Sequence, residues 1–289
     1  MYRFILAAVV LVILLGAKFV PAAQQDFSKV EIKTSKVAGN VSMLEGSGGN
    51  IGVSTGPDGT LIVDDQFAPL AEKIEAKLKE LNPGKLRFVL NTHWHGDHTG
   101  GNAFFGGREA NIVAQANVRK RLMGKADGKP VELPVVTFDT GVSVHFNGEE
   151  IRLLHVGPGH TDGDSIVFFT GANVIHMGDQ FFNGRFPFID LGSGGDVAGY
   201  LRTVEAVLAQ AKPDTQIIPG HGKLATVEDL KSFRNMLVET TGLVQKAIAD
   251  GKSLDEVKSV GLPEKWKDWG SGFINTSRWL EICYNNLKK

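Results

Sequence analysis

Residues 92 to 101 read THWHGDHTGG, placing three of the chain's eight histidines and one aspartate within six positions, His93 to His98. His93 and His95 stand two residues apart. In an extended or tightly turned segment two such imidazoles can converge on one ion, whereas on a helix residues i and i+2 point about 200° apart. Asp97 and His98 follow at once, and neutral imidazole with carboxylate is the donor set of catalytic zinc, which keeps one coordination position open. Gly100 and Gly101 let the backbone turn closely behind them. One loop cannot fill two coordination spheres, so further ligands are expected at other strand ends. Three positions answer: His160 in GPGHTDGD after IRLLHV, Asp179 in HMGDQFF after VIHM, and His221 in IIPGHGK after QII. Each has a glycine neighbour, where bare backbone allows close approach. The other histidines read differently. His155 and His176 lie within strands as hydrogen-bonded core residues, and His145, in an alternating strand, faces solvent.

The elements that must carry these residues follow from periodicity and punctuation. VEIKTSKV, NVSMLEG, NIGVST and TLIVDD alternate and are broken by Gly46-Ser47-Gly48-Gly49 and Pro57-Asp58-Gly59, which predicts antiparallel hairpins. Leu70, Ile74, Leu78 and Leu81 recur at helical spacing, so a helix is expected from about Pro69 to Leu81, closed by Asn82-Pro83-Gly84. LRFVLNT, 86 to 92, is a buried strand running straight into the histidine loop. Further strands are expected at 111–115, near 134–138, 142–146, 149–155, 165–170, 172–177 and 215–220, with helices from about Asn117 and over 197–211. From Thr226 the chain reads as helices to its end. The alternation of strands and helices, with no repeat and no long polar linker, predicts one domain over residues 24–289, its C-terminal part 226–289 helical.

Composition removes several classes of partner. The chain has 289 residues, 42% of them hydrophobic, which suits a folded domain with a large core. Its 31 basic and 32 acidic residues leave a net charge of −1, so no field draws it to nucleic acid or to an anionic membrane. A small-molecule partner fits better. Arg3, the apolar run Phe4 to Leu15 and the small residues around Val20 to Ala23 make a secretory signal, cleaved near Ala22 or Ala23. The run stops at Gly16 and Lys18, short of the roughly 20 apolar residues a bilayer span needs. Residues 1–23 are therefore read as an export signal, and the mature protein as periplasmic with no membrane attachment. Cys283, the single cysteine, excludes an internal disulfide and reads as a buried inert thiol.

His93-X-His95-X-Asp97-His98, Gly159-His160-Thr161, Gly178-Asp179 and Gly220-His221-Gly222 resemble, in order and spacing, motifs of the metallo-β-lactamase superfamily, over about residues 40 to 225. The resemblance implies an αββα sandwich of two mixed sheets with outer helices and a dinuclear centre at one edge. By motif, His93, His95 and His160 hold one zinc, Asp97, His98 and His221 hold the second, and Asp179 bridges; iron or manganese are the alternative metals. Asp64 matches the first motif and supports the metal loop by hydrogen bonds. The implied chemistry is hydrolysis of a carbonyl substrate by hydroxide held between two metals, with Asp97 as the catalytic group that orients it and takes its proton. The leading substrate is a β-lactam, because export favours small molecules met outside the cytoplasm and because GPGHTDGDSIVF looks like the corresponding segment of secreted β-lactamases.

The sequence departs from the best-known β-lactamase subclass at three places. Asp179 stands where that subclass has cysteine, His98 where it has a non-ligand, and Phe182 where it has the lysine that anchors a carboxylate. Lys223 and Arg185 are the substitutes at hand, each read first as a solvated charge. Lactonases of the superfamily carry a tyrosine where Phe181 and Phe182 occur. A periplasmic esterase, thioesterase or lactonase is the same-chemistry alternative, and a di-iron redox protein or a non-catalytic metal-binding module the alternative from another class. MLEGSGGN, 43 to 50, resembles the hairpin that covers substrate in the family, and reads equally as an ordinary turn. Trp266, Trp269, Phe273 and Trp279 are expected to pack C-terminal helices onto the sandwich.

Overall fold

The computed structural model describes residues 26–125 and 133–288, so the export signal assigned to residues 1–23 lies outside the described residues. The fold opens with β1 (Lys33–Ala38), β2 (Val41–Glu45), β3 (Ile51–Gly56) and β4 (Gly59–Val63), paired antiparallel in chain order. At the β3–β4 turn Gly59 takes φ +116°, and a Cβ there would meet the Lys85 carbonyl oxygen at 2.5 Å, so only glycine fits. After β4 the pairing becomes parallel. The helix α1 (Ala71–Leu81) crosses to β5 (Leu86–Leu90); α2 (Gly96–Thr99) and α3 (Asn102–Gly106) lead to β6 (Asn111–Gln115); α4 (Ala116–Lys125) precedes β7 (Val136–Phe138). These seven strands form one mixed sheet in sequence order.

The second sheet holds β8 (Gly141–Phe146), β9 (Glu149–Leu154), β10 (Ile166–Phe169), β11 (Val174–Phe182) and β12 (Gln216–His221), in the order β12-β11-β10-β9-β8. Only β11 and β12 pair in parallel, with α5 (Val197–Leu208) between them in the chain. The helices α6 (Val227–Ala249), α7 (Leu254–Val260) and α8 (Thr276–Leu287) follow, a 3-10 stretch, Glu264–Ser271, joining the last two. Thr226 and Asp229 form a reciprocal capping box that starts α6.

Three apolar layers hold this together. Val41, Met43, Leu61, Val63 and Leu90 of the first sheet face Ile151, Leu153, Val167, Phe169 and Ile218 of the second. Outside the first sheet, Leu44, Val53, Ile62 and Val89 pack on Leu70, Ile74 and Leu78. Outside the second, Ile166, Ile175, Met177 and Ile217 pack on Tyr200, Val204, Leu230, Phe233 and Trp279. Strands covered on both faces are dominated by apolar residues, and β4, buried along its whole length, carries Leu61, Ile62 and Val63 in succession. The architecture is the expected αββα sandwich of two mixed sheets. Cys283 is buried in the outer layer, and burial pushes its thiol well above the ordinary range.

The C-terminal ends of β4, β5, β9, β11 and β12 meet at one edge of the sandwich, because β9 and β11 both run antiparallel to β10 and β12 runs with β11. Two differences from the sequence reading bear on the site. The strand β11 runs on to Phe182 rather than stopping at 177, so Asp179 lies inside a strand and not after one. His155 falls just beyond β9, where its Nδ1 lies 2.7 Å from the Asp164 carbonyl oxygen. His176 is buried in β11 with Nε2 3.0 Å from the Asn50 carbonyl oxygen, and His145 is exposed.

Candidate dinuclear metal site

The turn after β4 carries the first support of the site. Asp64 and Gln66 both take left-handed backbone, φ +64° and +58°, an uncommon state for residues other than glycine. Asp64 is fully buried there. Its carboxylate accepts the Thr92 N–H at 2.7 Å, the Thr92 hydroxyl at 2.7 Å and the Nδ1–H of His98 at 2.7 Å, tying the end of β4 to the histidine loop after β5. Asp64 therefore does what the sequence assigns to it: it braces the loop.

Register shifts around Gly178 break the β11–β12 ladder, and bulges of this kind re-aim side chains. Gly178 has φ +50°, and a Cβ on it would strike the Thr92 hydroxyl at 2.6 Å. Asp179 next to it faces the histidine loop. A Cβ at Gly220 would lie 2.1 Å from Asp179 Oδ1, and one at Gly49 would lie 2.1 Å from His98 Cε1. The residues 43–50 thus serve the site from below: Gly49 is buried, its N–H donates to the Asp97 carbonyl, and none of these residues lines the cleft described next.

All seven sequence-predicted ligand residues come together. His93, His95, His160 and Asp179 form one group and Asp97, His98 and His221 another, the potential donor atoms of each lying within 4.8 Å of one another. His93 Nε2 is 3.1 Å and His160 Nε2 2.8 Å from His95 Nδ1. Asp179 stands between the groups. Its Oδ2 lies 3.8 Å from His93 Nε2 and 3.5 Å from His160 Nε2, while its Oδ1 lies 3.1 Å from His98 Nε2 and 3.4 Å from His221 Nε2.

The outward nitrogens decide which tautomer each ring holds. His93 Nδ1 is 3.0 Å from the Thr92 hydroxyl, whose own proton goes to Asp64, so the ring nitrogen donates. His160 Nδ1 donates to the Phe188 carbonyl at 2.7 Å, and His95 Nε2 donates to Asp190 Oδ2 at 3.0 Å. With each outward nitrogen carrying the hydrogen, the three inward nitrogens present lone pairs at each other across about 3 Å. Three converging lone pairs repel unless a cation lies among them. Asp179 Oδ1 is likewise buried without a hydrogen bond. On both grounds the residues fit a pair of metal ions, and the donor types suit zinc.

Charge divides the two groups. Burial drives His93 well below the ordinary imidazole range, helped by His98, and brings His160 to about 4. Burial also opposes a charge on His98 and His221, but the carboxylates win: Asp179, Asp97 and Asp64 hold His98 well above its usual range, and Asp179 with Asp97 raises His221 to about 9. Asp179 in turn stays ionised against burial because His98, His221 and His93 surround it, and Asp97 is lowered against burial by His98 and His221. Metals bind neutral imidazole, so the two groups should take up ions with different proton linkage. An ion entering between His93 and His160 displaces no proton from them at neutral pH. One entering between His98 and His221 must displace protons, so its affinity should rise with pH through the neutral range, about tenfold per unit for each proton released. Calorimetry in buffers of different ionisation enthalpy measures this. Equal and pH-independent uptake of both ions would contradict it.

Asp190 is the site residue that sequence alone does not reveal. It sits in the turn after β11, 95 positions from His95, and also accepts the Ser193 hydroxyl and N–H. Its only sequence signal is that of an ordinary turn-capping aspartate. Asp190→Ala frees the outward edge of His95 and should weaken metal affinity roughly 10- to 100-fold, the usual cost of an outer partner. Titration of the metal-free variant against a chromogenic chelator reads that directly, and wild-type affinity would show that His95 needs no such brace.

A cleft of about 460 Å³ opens above the two groups. His95, Asp97 and His221 form its floor, and these are the partly exposed members of the cluster. Phe182, which takes the place of the expected lysine, stacks on His221 with ring centres 5.1 Å apart. Arg185 lines the cleft and Lys223 does not. Of the C-terminal aromatics, Trp279 is buried, its indole N–H donating to Thr240, and Trp266 and Trp269 pack against the outer core, as expected; Phe273 instead lines the cleft. Helix packing fails as an account of Phe273 because it follows Gly272 at the break before α8.

Residues 35–221 match the sequence model of the metallo-β-lactamase superfamily. Over 160 residues the chain is 25% identical to the metallo-β-lactamase type 2 of Bacteroides fragilis, an alignment covering 54% of this chain and 63% of that protein. Over 115 residues it is 35% identical to a hydroxyacylglutathione hydrolase of Synechococcus sp. (strain JA-3-3Ab), covering 40% of this chain and 42% of the relative. The chain thus matches less than two thirds of the length of these curated relatives. The crystal structure of DIM-1 metallo-β-lactamase superposes with a TM-score of 0.63 at 19% identity, covering 73% of this chain and 99% of that one, a likeness of fold. All seven clustered residues lie inside the matched span, and α6 to α8 lie beyond it.

Proposed function

The chain belongs to the metallo-β-lactamase superfamily, and from that premise we propose that it is an exported, two-zinc hydrolase of a carbonyl compound, with β-lactams as the leading substrate class. The observation that carries the proposal is the convergence of three imidazole lone pairs beside a buried carboxylate shared with a second histidine group. Divalent cations held there supply Lewis acidity, lowering the pKa of water toward about 7 and drawing charge from a carbonyl oxygen. The chain's own residues do the rest. Asp97, ionised and open to the cleft, lies 3.4 Å from His221 Nε2 and is placed to orient the attacking water and take its proton. Water adds to the carbonyl carbon, the bond to the leaving nitrogen, oxygen or sulfur breaks, and the proton passes to the leaving group. Aromatic walls limit solvent around that exchange.

Arg185 supports the β-lactam assignment. Its guanidinium has no ion pair or hydrogen bond among the described residues and lines the same cleft, so it is free to meet a substrate carboxylate. The thioesterase reading rests on a separate observation, the 35% identity to a hydroxyacylglutathione hydrolase. A lactonase has less support, since Phe181 packs under the helices on Phe233 and no tyrosine among the described residues lines the cleft. The test is a panel on zinc-loaded protein: a chromogenic cephalosporin, an acyl-glutathione thioester, an acyl-homoserine lactone and an aryl sulfate. Turnover of the cephalosporin is expected, strongest thioester turnover would transfer the assignment to that class, and none at all would leave a metal-binding module. Metal analysis completes it: iron with a visible absorption band would point to the di-iron redox alternative. Export is checked by fractionating cells that express the full chain, with the protein expected in the periplasm and shortened by about the length of residues 1–23.

A further inference from the structure

Phe273 is 87% exposed, and among the described residues it is the one aromatic side chain in the set of strongly exposed large apolar groups. Leaving a phenyl ring in water forgoes a large burial gain, so an exposed ring at the mouth of a cleft asks what covers it. The backbone that carries the ring is anchored by packing around it. Ile274 beside it is buried, Phe186 N–H donates to the Trp269 carbonyl at 3.0 Å, and the Phe186 ring stacks on Trp279 with centres 5.9 Å apart. The Phe273 ring meets Phe188 edge-on, centres 6.2 Å apart, and Phe188 lies over His95 at 6.1 Å and 28°. A continuous aromatic surface therefore runs from the exposed rim down to a metal-binding imidazole. Phe67 lines the cleft too, its ring leaning on Phe27 at 5.3 Å. Phe67 and Phe188 lie inside the span matched by the family, whereas Phe273 and Ile274 are added from the C-terminal part of the chain beyond it.

We propose that the segment Gly272–Ile274, with Phe188 and Phe67, forms an acyl-recognition wall that selects substrates carrying an aromatic or comparably bulky apolar group next to the scissile carbonyl. The inference rests on the hydrolase reading for its substrate class. A cleft of about 460 Å³ has room for such a group beside the reacting carbonyl, and a substrate ring placed there covers Phe273 on the side that Phe188 leaves open. Polar compact acyl groups gain nothing from that surface.

The test measures binding of phenylacetate and acetate, product-like acids, to the zinc-loaded and metal-free full chain by calorimetry or ligand-observed NMR. Wild-type protein is expected to prefer phenylacetate at least about tenfold. Phe273→Ala should reduce that ratio by about threefold or more, and Phe273→Trp should restore it. Val260→Ala, an equally exposed apolar side chain at the end of α7, should leave the ratio as in wild type. Equal affinity for the two acids, or an unaltered preference in Phe273→Ala, would overturn the proposal. Turnover of phenylacetyl and acetyl thioesters keeps the two readings apart. Protein that prefers the aryl acid but hydrolyses neither thioester nor any member of the substrate panel retains the wall and loses the hydrolase assignment, whereas protein that hydrolyses both thioesters with no preference for either acid loses the wall alone.

Discussion

Asp179→Asn is expected to abolish uptake of two metal ions per chain and to lower turnover by about 10³-fold, well beyond the roughly 10- to 100-fold cost of losing an outer partner. The expectation follows from position. Asp179 is almost fully buried, and its two oxygens face different histidine groups, Oδ2 toward His93 and His160 and Oδ1 toward His98 and His221. An asparagine keeps the shape but offers one oxygen and an NH2 that points hydrogens at lone pairs. It also removes the charge that holds His98 and His221 protonated in the metal-free protein, so both imidazoles titrate at lower pH in the variant. The fold should survive, because the amide is cheaper to bury than the carboxylate it replaces and Tyr200 still donates to the backbone carbonyl of residue 179. Metal analysis with a thermal melt and a turnover assay reads all three quantities. Full metal content with wild-type turnover would remove the bridging role.

Asp97→Asn should behave differently. Asp97 opens to the cleft and contributes to one group only, so the variant is expected to keep its fold and the ion held by His93, His95 and His160 while turnover falls roughly 10²- to 10⁴-fold, the range for a lost general acid or base. The pH profile separates this from simple metal loss. If Asp97 takes the proton, the acid limb of kcat/KM set by its lowered pKa disappears in the variant even at saturating zinc. Turnover restored fully by excess zinc would make Asp97 a ligand and nothing more.

Much of this site was legible in the sequence because its chemistry is local. The run from His93 to His98 states its own purpose, and glycines beside His160, Asp179 and His221 mark where backbone must yield, as the Cβ clash of 2.1 Å at Gly220 bears out. Hairpins and covered strands show in period and punctuation, and the αββα sandwich is what the resemblance of the histidine and aspartate motifs implies. What stayed hidden depends on contacts made only once the chain has folded. Asp190 reaches His95 across 95 residues from a turn with no motif, and the carbonyl of Phe188 that orients His160 has no side-chain signature at all. The apolar run ending at 177 places Asp179 after a strand, whereas the strand continues through a register shift at Gly178 and carries Asp179 inside β11. Phe273 reads like its tryptophan neighbours on paper; only the break between the 3-10 stretch and α8 turns it outward.

The central claim is that four chain segments meet to enclose two cations. Anomalous diffraction at the zinc edge, from crystals of the full chain grown with zinc, tests it most directly. The account predicts two peaks, one enclosed by His93 Nε2, His95 Nδ1, His160 Nε2 and Asp179 Oδ2, the other by Asp97, His98 Nε2, His221 Nε2 and Asp179 Oδ1, each about 2.0–2.2 Å from its donors. Absence of both peaks, with the inward imidazole nitrogens hydrogen-bonded to one another or to water, would contradict it.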